Sequence, residues 1–225
     1  DRDDGMGKFD IYSFEMEKSI SPQSVGFVKG ITIDKNTLGT LSAKVILTNL
    51  TTGLNADSVF SDPETGEFLM ILQPGINYAF NISQRGYLLY SENFNLTDSI
   101  QADFVEKSFY LTPIASGSSF ILNNVFFDFN KAELRRSSYK ELDYLVEALN
   151  ENAKLNIKIG GHTDNVGDEE YNLGLSESRA RAVSDYIQSK GVQAERLAYA
   201  GYGASRPIAS NESDMGRALN RRTEI

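Results

Sequence analysis

The chain has 225 residues, 40% of them hydrophobic and 24% charged, a composition typical of folded domains rather than of disordered segments. Its net charge of −9 argues against a nucleic acid as partner, because two polyanions repel each other. The chain has no cysteine and one histidine, which excludes disulfides, thiol catalysis and multi-histidine zinc sites.

Residues 1–25 precede the first regular pattern of the chain. Within them, the segment GMGKFDIY at positions 5–12 is similar to the closing strand of a propeller blade in bacterial envelope proteins. One copy cannot close a propeller, because each blade packs against its neighbours. We therefore interpret residues 1–25 as a linker or as the end of an upstream domain such as a propeller.

Residues 26–112 are predicted to form short strands. Apolar and polar residues alternate at positions 43–47, 68–72 and 78–82, which is the period of a half-buried strand. Turn-forming residues separate these runs, as in DPETG at positions 62–66. Evenly spaced strands with such turns favour an antiparallel β-sandwich.

The same segment resembles the carboxypeptidase-regulatory-like family of transthyretin-type sandwiches. The resemblance depends on the segments GITIDKNTLGTLSAKVILTN and DPETGEFLMILQPGINYAFNISQRGY, with their T-G-x-F turn, P-G turn and Y-x-F strand. Members of that family serve as spacers or adhesion modules without chemistry, so the resemblance implies such a role here.

Residues 113–225 change to alternating strand and helix patterns. Two apolar stretches at helical spacing follow one another, and shorter strand-like runs separate them. The predicted order is strand 120–127, helix 134–149, strand 155–159, helix 168–189, strand 197–200, helix 214–220 and strand 222–225. In the second helix we expect Leu175, Ala182, Val183, Tyr186 and Ile187 to face inward. The fold class is therefore α+β, a two-layer βαβαβ-(short α)-β domain that follows an N-terminal antiparallel β-sandwich.

The segment GGHTDNVGDEEYNLGLSESRARAVSDYI contains the main candidate residues for binding a ligand. It places Asp164 on a loop after a strand and Arg179 about three turns into the next helix. A carboxylate and a guanidinium that face one cavity suit a zwitterionic ligand with one ammonium and one carboxylate. The spacing alone rather favours a plain Asp164–Arg179 ion pair that fixes the loop to the helix, and both interpretations stay open at this point.

From Phe120 to Ile225 the chain resembles the OmpA-like peptidoglycan-binding domain. The matching segments are VFFDFNKAEL, IGGHTDNVGDEEYNLGLSESRARAVSDYI, ERLAYAGYGASRPIASN and GRALNRRTEI. That family binds the peptide stem of the cell wall without covalent chemistry, at the zwitterionic end of diaminopimelate. The resemblance implies that Asp164 accepts the ligand's ammonium and that Arg179 binds its carboxylate.

The resemblance also implies lesser roles for the neighbouring motif positions. These residues are expected to wall the pocket, to bond the peptide stem or to add positive charge to it: Asp128, Phe129, Asn130, Thr163, Asn165, Asn172, Leu175 and Arg221. We assign Arg222 a structural role, because strand alternation turns it away from Arg221. Gly174 interrupts the second helix, where it costs up to about 1 kcal/mol relative to alanine unless a close approach requires it.

Two other chemistries can be drawn from the residues. His162, Asp164 and Ser176 are the types of a hydrolase triad, but Ser176 lies inside a predicted helix without the G-x-S-x-G turn. The acidic run 168–170 has the residue types of a calcium or glycosidase site, and it equally fits the N-terminus of a helix, where acids stabilise the dipole.

We expect a non-enzymatic protein that binds peptidoglycan through diaminopimelate and tethers the outer membrane to the wall from the periplasm. It needs no cofactor and no metal, and other outer-membrane proteins are further candidate partners. The domain pair resembles outer-membrane proteins of the Bacteroidetes. The alternatives are a docking module of an envelope complex that has lost wall binding, and an enzyme that acts on the wall.

Overall fold

The computed structural model describes residues 25–95 and 104–225, so the interpretation of residues 1–25 falls almost wholly outside it. The described residues form ten strands and three α-helices, which confirms the α+β class. In chain order they are β1 Gly26–Asp34, β2 Lys44–Asn49, β3 Leu54–Phe60, β4 Glu67–Leu72, β5 Asn77–Ser83, β6 Tyr90–Asn95, β7 Phe104–Leu111, α1 Tyr139–Glu151, β8 Ile157–Gly161, α2 Glu169–Ser189, β9 Leu197–Gly201, α3 Asp214–Asn220 and β10 Thr223–Glu224. None of the helices in these ranges has the length and apolarity that crossing a bilayer requires.

The first seven strands form two sheets, ordered β4-β1-β7 and β3-β2-β5-β6, that enclose an apolar core. The predicted alternation in β4 is confirmed, since Phe68, Met70 and Leu72 are buried while the residues between them are exposed. The rings of Phe80 and Phe109, from different sheets, lie 5.5 Å apart between centroids. The expected purely antiparallel pairing is wrong for one pair. Strand β7 runs parallel to β1, because the chain passes through the other sheet between them and returns in the same direction.

The C-terminal part contains the sheet β10-β8-β9, in which β8 and β9 are parallel. The predicted strand 120–127 is reduced to a bridge between Ile121 and Glu224 and a few flanking hydrogen bonds. The chain leaves the sheet edge at Asn123 and Asn124, because both side chains donate hydrogen bonds to Ser91 of strand β6. The following helix, α1, begins later than predicted, at Tyr139, after a single 3₁₀ turn.

The backbone of helix α2 lies directly against the backbone of strands β8 and β9. A Cβ on Gly161 would lie 2.0 Å from the carbonyl oxygen of Ser176, and a Cβ on Gly201 would lie 2.4 Å from the amide nitrogen of Glu177. Residues with side chains would push the helix away at both points. The buried residues of α2 therefore include small ones, Ser176 and Ala180, rather than the predicted Ala182.

Helix α1 contacts both parts of the chain. Its residues Leu142, Leu145 and Leu149 belong to the C-terminal core, where Ile46 and Leu89 of the N-terminal part join them. On the other side, the Tyr144 hydroxyl donates to Asn55 at 2.7 Å and lies 3.2 Å from the Thr48 hydroxyl. The junction is thus a packed and hydrogen-bonded surface.

A fully buried carboxylate, that of Glu141, lies in this junction. It accepts a hydrogen bond from the Ser91 hydroxyl at 2.5 Å and one from the Asn124 side-chain amide at 2.8 Å. Burial raises the pKa of Glu141 above its ordinary value, and the hydrogen bonds from Ser91 and Asn124 offset only part of this effect.

The close contact at Gly161 predicts opposite effects for two alanine substitutions. Gly161→Ala should lower the free energy of unfolding by about 1–3 kcal/mol, because its Cβ overlaps the backbone of α2. Gly174→Ala, where a Cβ meets no atom within 4 Å, should raise it by up to about 1 kcal/mol. Urea denaturation followed by circular dichroism measures both, and equal stabilities would contradict the close packing.

The buried carboxyl predicts a pH-dependent gain for Glu141→Gln. A raised pKa in the folded state means that the neutral form stabilises the fold below the ordinary carboxyl range, and that this contribution is lost as the pH rises through the folded-state pKa. Glutamine stays neutral, so the variant should be more stable than the parent at pH 7. The difference should vanish below about pH 4.

The matched control is Glu147→Gln, an exposed residue on the same helix. Chemical denaturation at several pH values should show little change for it. A Glu141→Gln variant that is less stable than the parent at pH 7 would show that the ionised carboxylate is the preferred buried form.

Candidate functional site

A cleft of about 700 Å³ lies beside helix α2. Nine of the ten predicted site residues line it: Asp128, Phe129, Asn130, Thr163, Asp164, Asn172, Leu175, Arg179 and Arg221. The tenth, Asn165, is exposed and is not among the lining residues, although its loop neighbours Asp164 and Val166 are. Residues from the 125–130 segment, the β8–α2 loop, α2 and the end of α3 thus meet at one place.

Asp164 lies at the base of the cleft and is 8% exposed. Its Oδ1 accepts the backbone N–H of Val166 at 3.0 Å, and its Oδ2 accepts from Nη1 of Arg221 at 2.6 Å. The loop is fixed further because the N–H of Thr163 donates to the carbonyl of Gly203 at 2.9 Å. Asp164 is therefore paired with Arg221, and the plain ion pair with Arg179 that the spacing left open is not formed.

Arg179 is half-buried and is held by backbone carbonyl groups. Its Nε donates to the Lys131 carbonyl at 3.0 Å and its Nη2 to the Asp128 carbonyl at 3.4 Å. Its Cζ lies 5.1 Å from the centroid of the Phe127 ring. Burial lowers the pKa of the Arg179 guanidinium and the charge of Arg221 adds to this effect, while Tyr171 and Asp164 oppose it. Among the described residues no carboxylate pairs with it.

The segment 128–131 forms the wall opposite α2. The carboxylate of Asp128 accepts from Nε of Arg135 at 2.8 Å, so its side chain is occupied while its carbonyl binds Arg179. Asn130 adopts a φ of 55°, in the left-handed region that asparagine tolerates better than most residues. Phe129 is 89% exposed and lies at the rim. The wall therefore offers the cleft an aromatic edge and the amide of Asn130.

Helix α2 contributes its first turns to the cleft. Asp168 caps the helix by accepting the Tyr171 N–H at 3.0 Å. Asn172 is buried and donates to the Val166 carbonyl at 3.0 Å, which ties the loop to the helix. Tyr171, Leu175 and Arg179 follow at intervals of four and share one helix face.

Tyr171 and Arg217 also line the cleft but were not predicted. The four-residue spacing with Leu175 and Arg179 is the signal that points to Tyr171. Nothing in the sequence singles out Arg217, which donates to the Asn211 carbonyl at 2.6 Å and pairs with Asp214.

Arg222 lies away from the cleft. Its guanidinium is 6% exposed, donates to Glu224 at 2.9 Å and donates to the Arg206 carbonyl at 3.1 Å. The two successive residues between α3 and β10 thus serve different ends, Arg221 contributing to the cleft and Arg222 to internal pairing.

The alternative chemistries do not match this geometry. The Ser176 hydroxyl donates to the Leu173 carbonyl and accepts from the Gly203 N–H, and Asp164 binds Arg221, so the three types of a triad are not assembled. Asp168 serves as a helix cap. In the described ranges no group of three or more acidic or histidine residues is placed to hold a metal ion.

Residues 126–221 match the sequence model of the OmpA family. Over 102 residues the chain is 41% identical to outer membrane porin F of Pseudomonas aeruginosa, an alignment that covers 45% of this chain and 29% of the porin. It is 40% identical over 94 residues to the peptidoglycan-binding protein ArfA of Mycobacterium tuberculosis, covering 42% of this chain and 29% of that protein. The chain therefore spans less than a third of the length of these relatives.

Among solved structures, the crystal structure of the peptidoglycan-associated lipoprotein from Burkholderia pseudomallei is similar to the chain. The two share 30% sequence identity, with a TM-score of 0.42. The match covers 44% of this chain and 84% of the lipoprotein chain.

Proposed function

We propose that this chain, whose C-terminal region is an OmpA-like domain, binds the peptidoglycan of the cell wall and so anchors the outer membrane to it. Binding is an equilibrium contact without turnover. The names of the relatives, among them a peptidoglycan-binding protein and a peptidoglycan-associated lipoprotein, support this proposal.

The observation that carries the proposal is the state of Arg179. Its guanidinium is partly removed from water and bonded to two carbonyl groups, and no described carboxylate neutralises it. A cation held in this way gains more from an anionic ligand than one in open water, because charge-assisted bonds strengthen when water is excluded.

Diaminopimelate is the ligand that fits the charges of the cleft. Its side-chain end carries an ammonium and a carboxylate on one carbon atom. The carboxylate binds Arg179 and the ammonium binds Asp164. An ionised carboxylate has about four lone-pair sites, so Asp164 can accept an ammonium while it keeps its bonds from Val166 and Arg221. Arg221 is near enough to serve a second carboxylate of the stem.

The expected affinity for one stem is modest. Each charge-assisted bond contributes on the order of 1.5–3 kcal/mol, so a few of them give a dissociation constant in the micromolar to millimolar range. The wall repeats the ligand many times, and proteins that share one membrane gain avidity from that repetition.

The same proposal covers the rest of the chain. Residues 26–112 act as a carboxypeptidase-regulatory-like spacer, residues 113–225 carry the wall site, and residues 1–25 are a linker or the end of an upstream domain. The arrangement operates in the periplasm at the outer membrane, as in the outer-membrane proteins of Bacteroidetes that the domain pair resembles. The packed surface at helix α1 supports a spacer that holds the cleft in a fixed orientation.

Removing either charge of the cleft should weaken wall binding. We expect Asp164→Ala and Arg179→Ala each to reduce binding to diaminopimelate-type peptidoglycan by about tenfold or more, which corresponds to ~1.4 kcal/mol per decade. Both should fold, because Arg179 is only half-buried and Asp164 lies at a cleft. Sedimentation with insoluble wall measures the bound fraction.

The matched control is Arg181→Ala, which removes the same charge from an exposed position of α2 two residues away. It should bind like the parent. If both cleft variants kept full binding, the wall site would lie elsewhere or the domain would be a docking module.

A zwitterion site should also discriminate between free amino acids. Diaminopimelate should displace the protein from the wall at a concentration about tenfold or more below that needed for lysine. Lysine's side chain ends in an ammonium without a carboxylate, so Arg179 keeps no partner at that end. In Arg179→Ala the ratio between the displacing concentrations of lysine and diaminopimelate should become smaller. Equal competition by the two amino acids in the parent protein would show that the cleft does not recognise a zwitterion.

A further inference from the structure

A second cavity, of about 750 Å³, lies on the other side of strand β8 from helix α2. Gly161 contacts α2, whereas Lys158 and Gly160, which alternation places on the opposite face, line this cavity together with Ile157 at the start of the strand. No residue lines both the cavity and the cleft of Asp164 and Arg179. The volume is that of pockets that hold small organic ligands.

The floor of the cavity is apolar and comes from both parts of the chain. Leu89 of the N-terminal part and Leu145 and Leu149 of α1 are buried there. The half-buried side chains of Ile114 and Phe120, from the segment that joins the two parts, complete it. A ligand that reaches this floor is therefore in contact with hydrocarbon.

The other end of the cavity is cationic. Around the ring of Tyr202, the Cζ of Arg206 lies 3.9 Å and the Nζ of Lys158 lies 5.5 Å from the ring centroid. Neither cation has a carboxylate partner within the part of the chain that the structure describes, while Arg222 of the same wall is paired with Glu224. Two cations without a described carboxylate partner beside one aromatic ring are notable in a chain with a net charge of −9.

We infer that this cavity binds an organic anion in which a carboxylate or phosphate group is joined to an apolar group. The anionic group lies at Lys158 and Arg206, and the apolar group covers the half-buried side chains of Ile114 and Phe120. A bare inorganic anion leaves the floor uncovered, and a neutral apolar molecule leaves the two cations without a counter-charge, so neither fits as well.

The histidine at this end supplies a reporter. His162 is 3% exposed, its ring lies 5.1 Å from the Tyr202 ring, and its Nδ1 has no hydrogen-bond partner among the described atoms. Burial, with the charges of Arg222 and Arg206 adding to it and that of Glu224 opposing it, lowers the pKa of His162 to about 4. A bound anion should raise this pKa, because it offsets the neighbouring positive charges.

The test uses the whole 225-residue chain. Decyl phosphate and decanoate, below the concentrations at which they form micelles, are titrated calorimetrically at pH 7, with inorganic phosphate and decanol as the anion-only and chain-only arms. Since the chain has one histidine, the pH titration of its ring resonance by NMR, with and without decyl phosphate, reports on His162 alone. We expect saturable binding of at least one of the two organic anions, tenfold or more tighter than that of phosphate or decanol, and a higher His162 midpoint.

The variant Lys158→Gln with Arg206→Gln should weaken this binding by about tenfold or more. Both side chains are exposed, so folding should survive, and Lys35→Gln with Arg181→Gln removes the same charge from exposed positions as a control. The inference is overturned if neither decyl phosphate nor decanoate binds, or if decanol binds as tightly as they do. It is equally overturned if the pH midpoint of His162 does not move, or if the parent and the Lys158–Arg206 variant bind with equal affinity.

Discussion

The contact of helix α2 with the backbone of strands β8 and β9 fixes the geometry of the cleft. Gly161 and Gly201 allow the helix to touch the sheet where any side chain would separate them. The Ser176 hydroxyl at this contact bonds Gly203, and Gly203 in turn accepts the N–H of Thr163 beside Asp164. The loop that carries the carboxylate and the helix that carries Arg179 are thus held by one set of short contacts.

The electrostatics of the cleft depend on which of its charged side chains are paired. Asp164 is satisfied by Arg221, so the free protein does not bury an unpaired carboxylate, which would be costly. Arg179 has carbonyl groups instead of a carboxylate, and these orient the guanidinium without neutralising it. The site therefore keeps one positive charge in excess, and a ligand with a carboxylate restores the balance. The ammonium of a zwitterion then finds an acceptor at Asp164 without displacing Arg221.

The spacing of apolar residues along the chain predicted most of the secondary-structure elements. Period-two and helical spacing predicted β2, β4, β5, α2 and α3 nearly to their observed limits, because these elements bury one face against a core. The sequence did not indicate that β7 pairs parallel to β1, or that Asn123 and Asn124 end the first C-terminal strand, since both depend on contacts between distant segments. Close approach of another backbone does not explain Gly174, because a Cβ there would meet no atom within 4 Å.

The residues of the candidate site were likewise predicted only in part. The motif resemblance indicated Asp164 and Arg179, and the structure brings both to one cleft. The partner of Asp164 could not be inferred, because Arg221 is 57 residues away and only the closure of β10 against β8 brings them together. Spacing alone favoured the plain Asp164–Arg179 ion pair, and the pairing of Asp164 with the distant Arg221 shows why that prediction was wrong.

The end of strand β8 separates two charged environments by a single peptide unit. His162 lines the cavity on one side of the sheet, while Thr163 and Asp164 line the cleft on the other. The N–H of His162 donates to the Arg222 carbonyl and that of Thr163 to the Gly203 carbonyl, so the backbone is held on both sides at this point. A backbone fixed in this way can present a buried neutral imidazole to one face and a paired carboxylate to the other. The sheet blocks side-chain contact between the cavity and the cleft, which share no lining residue.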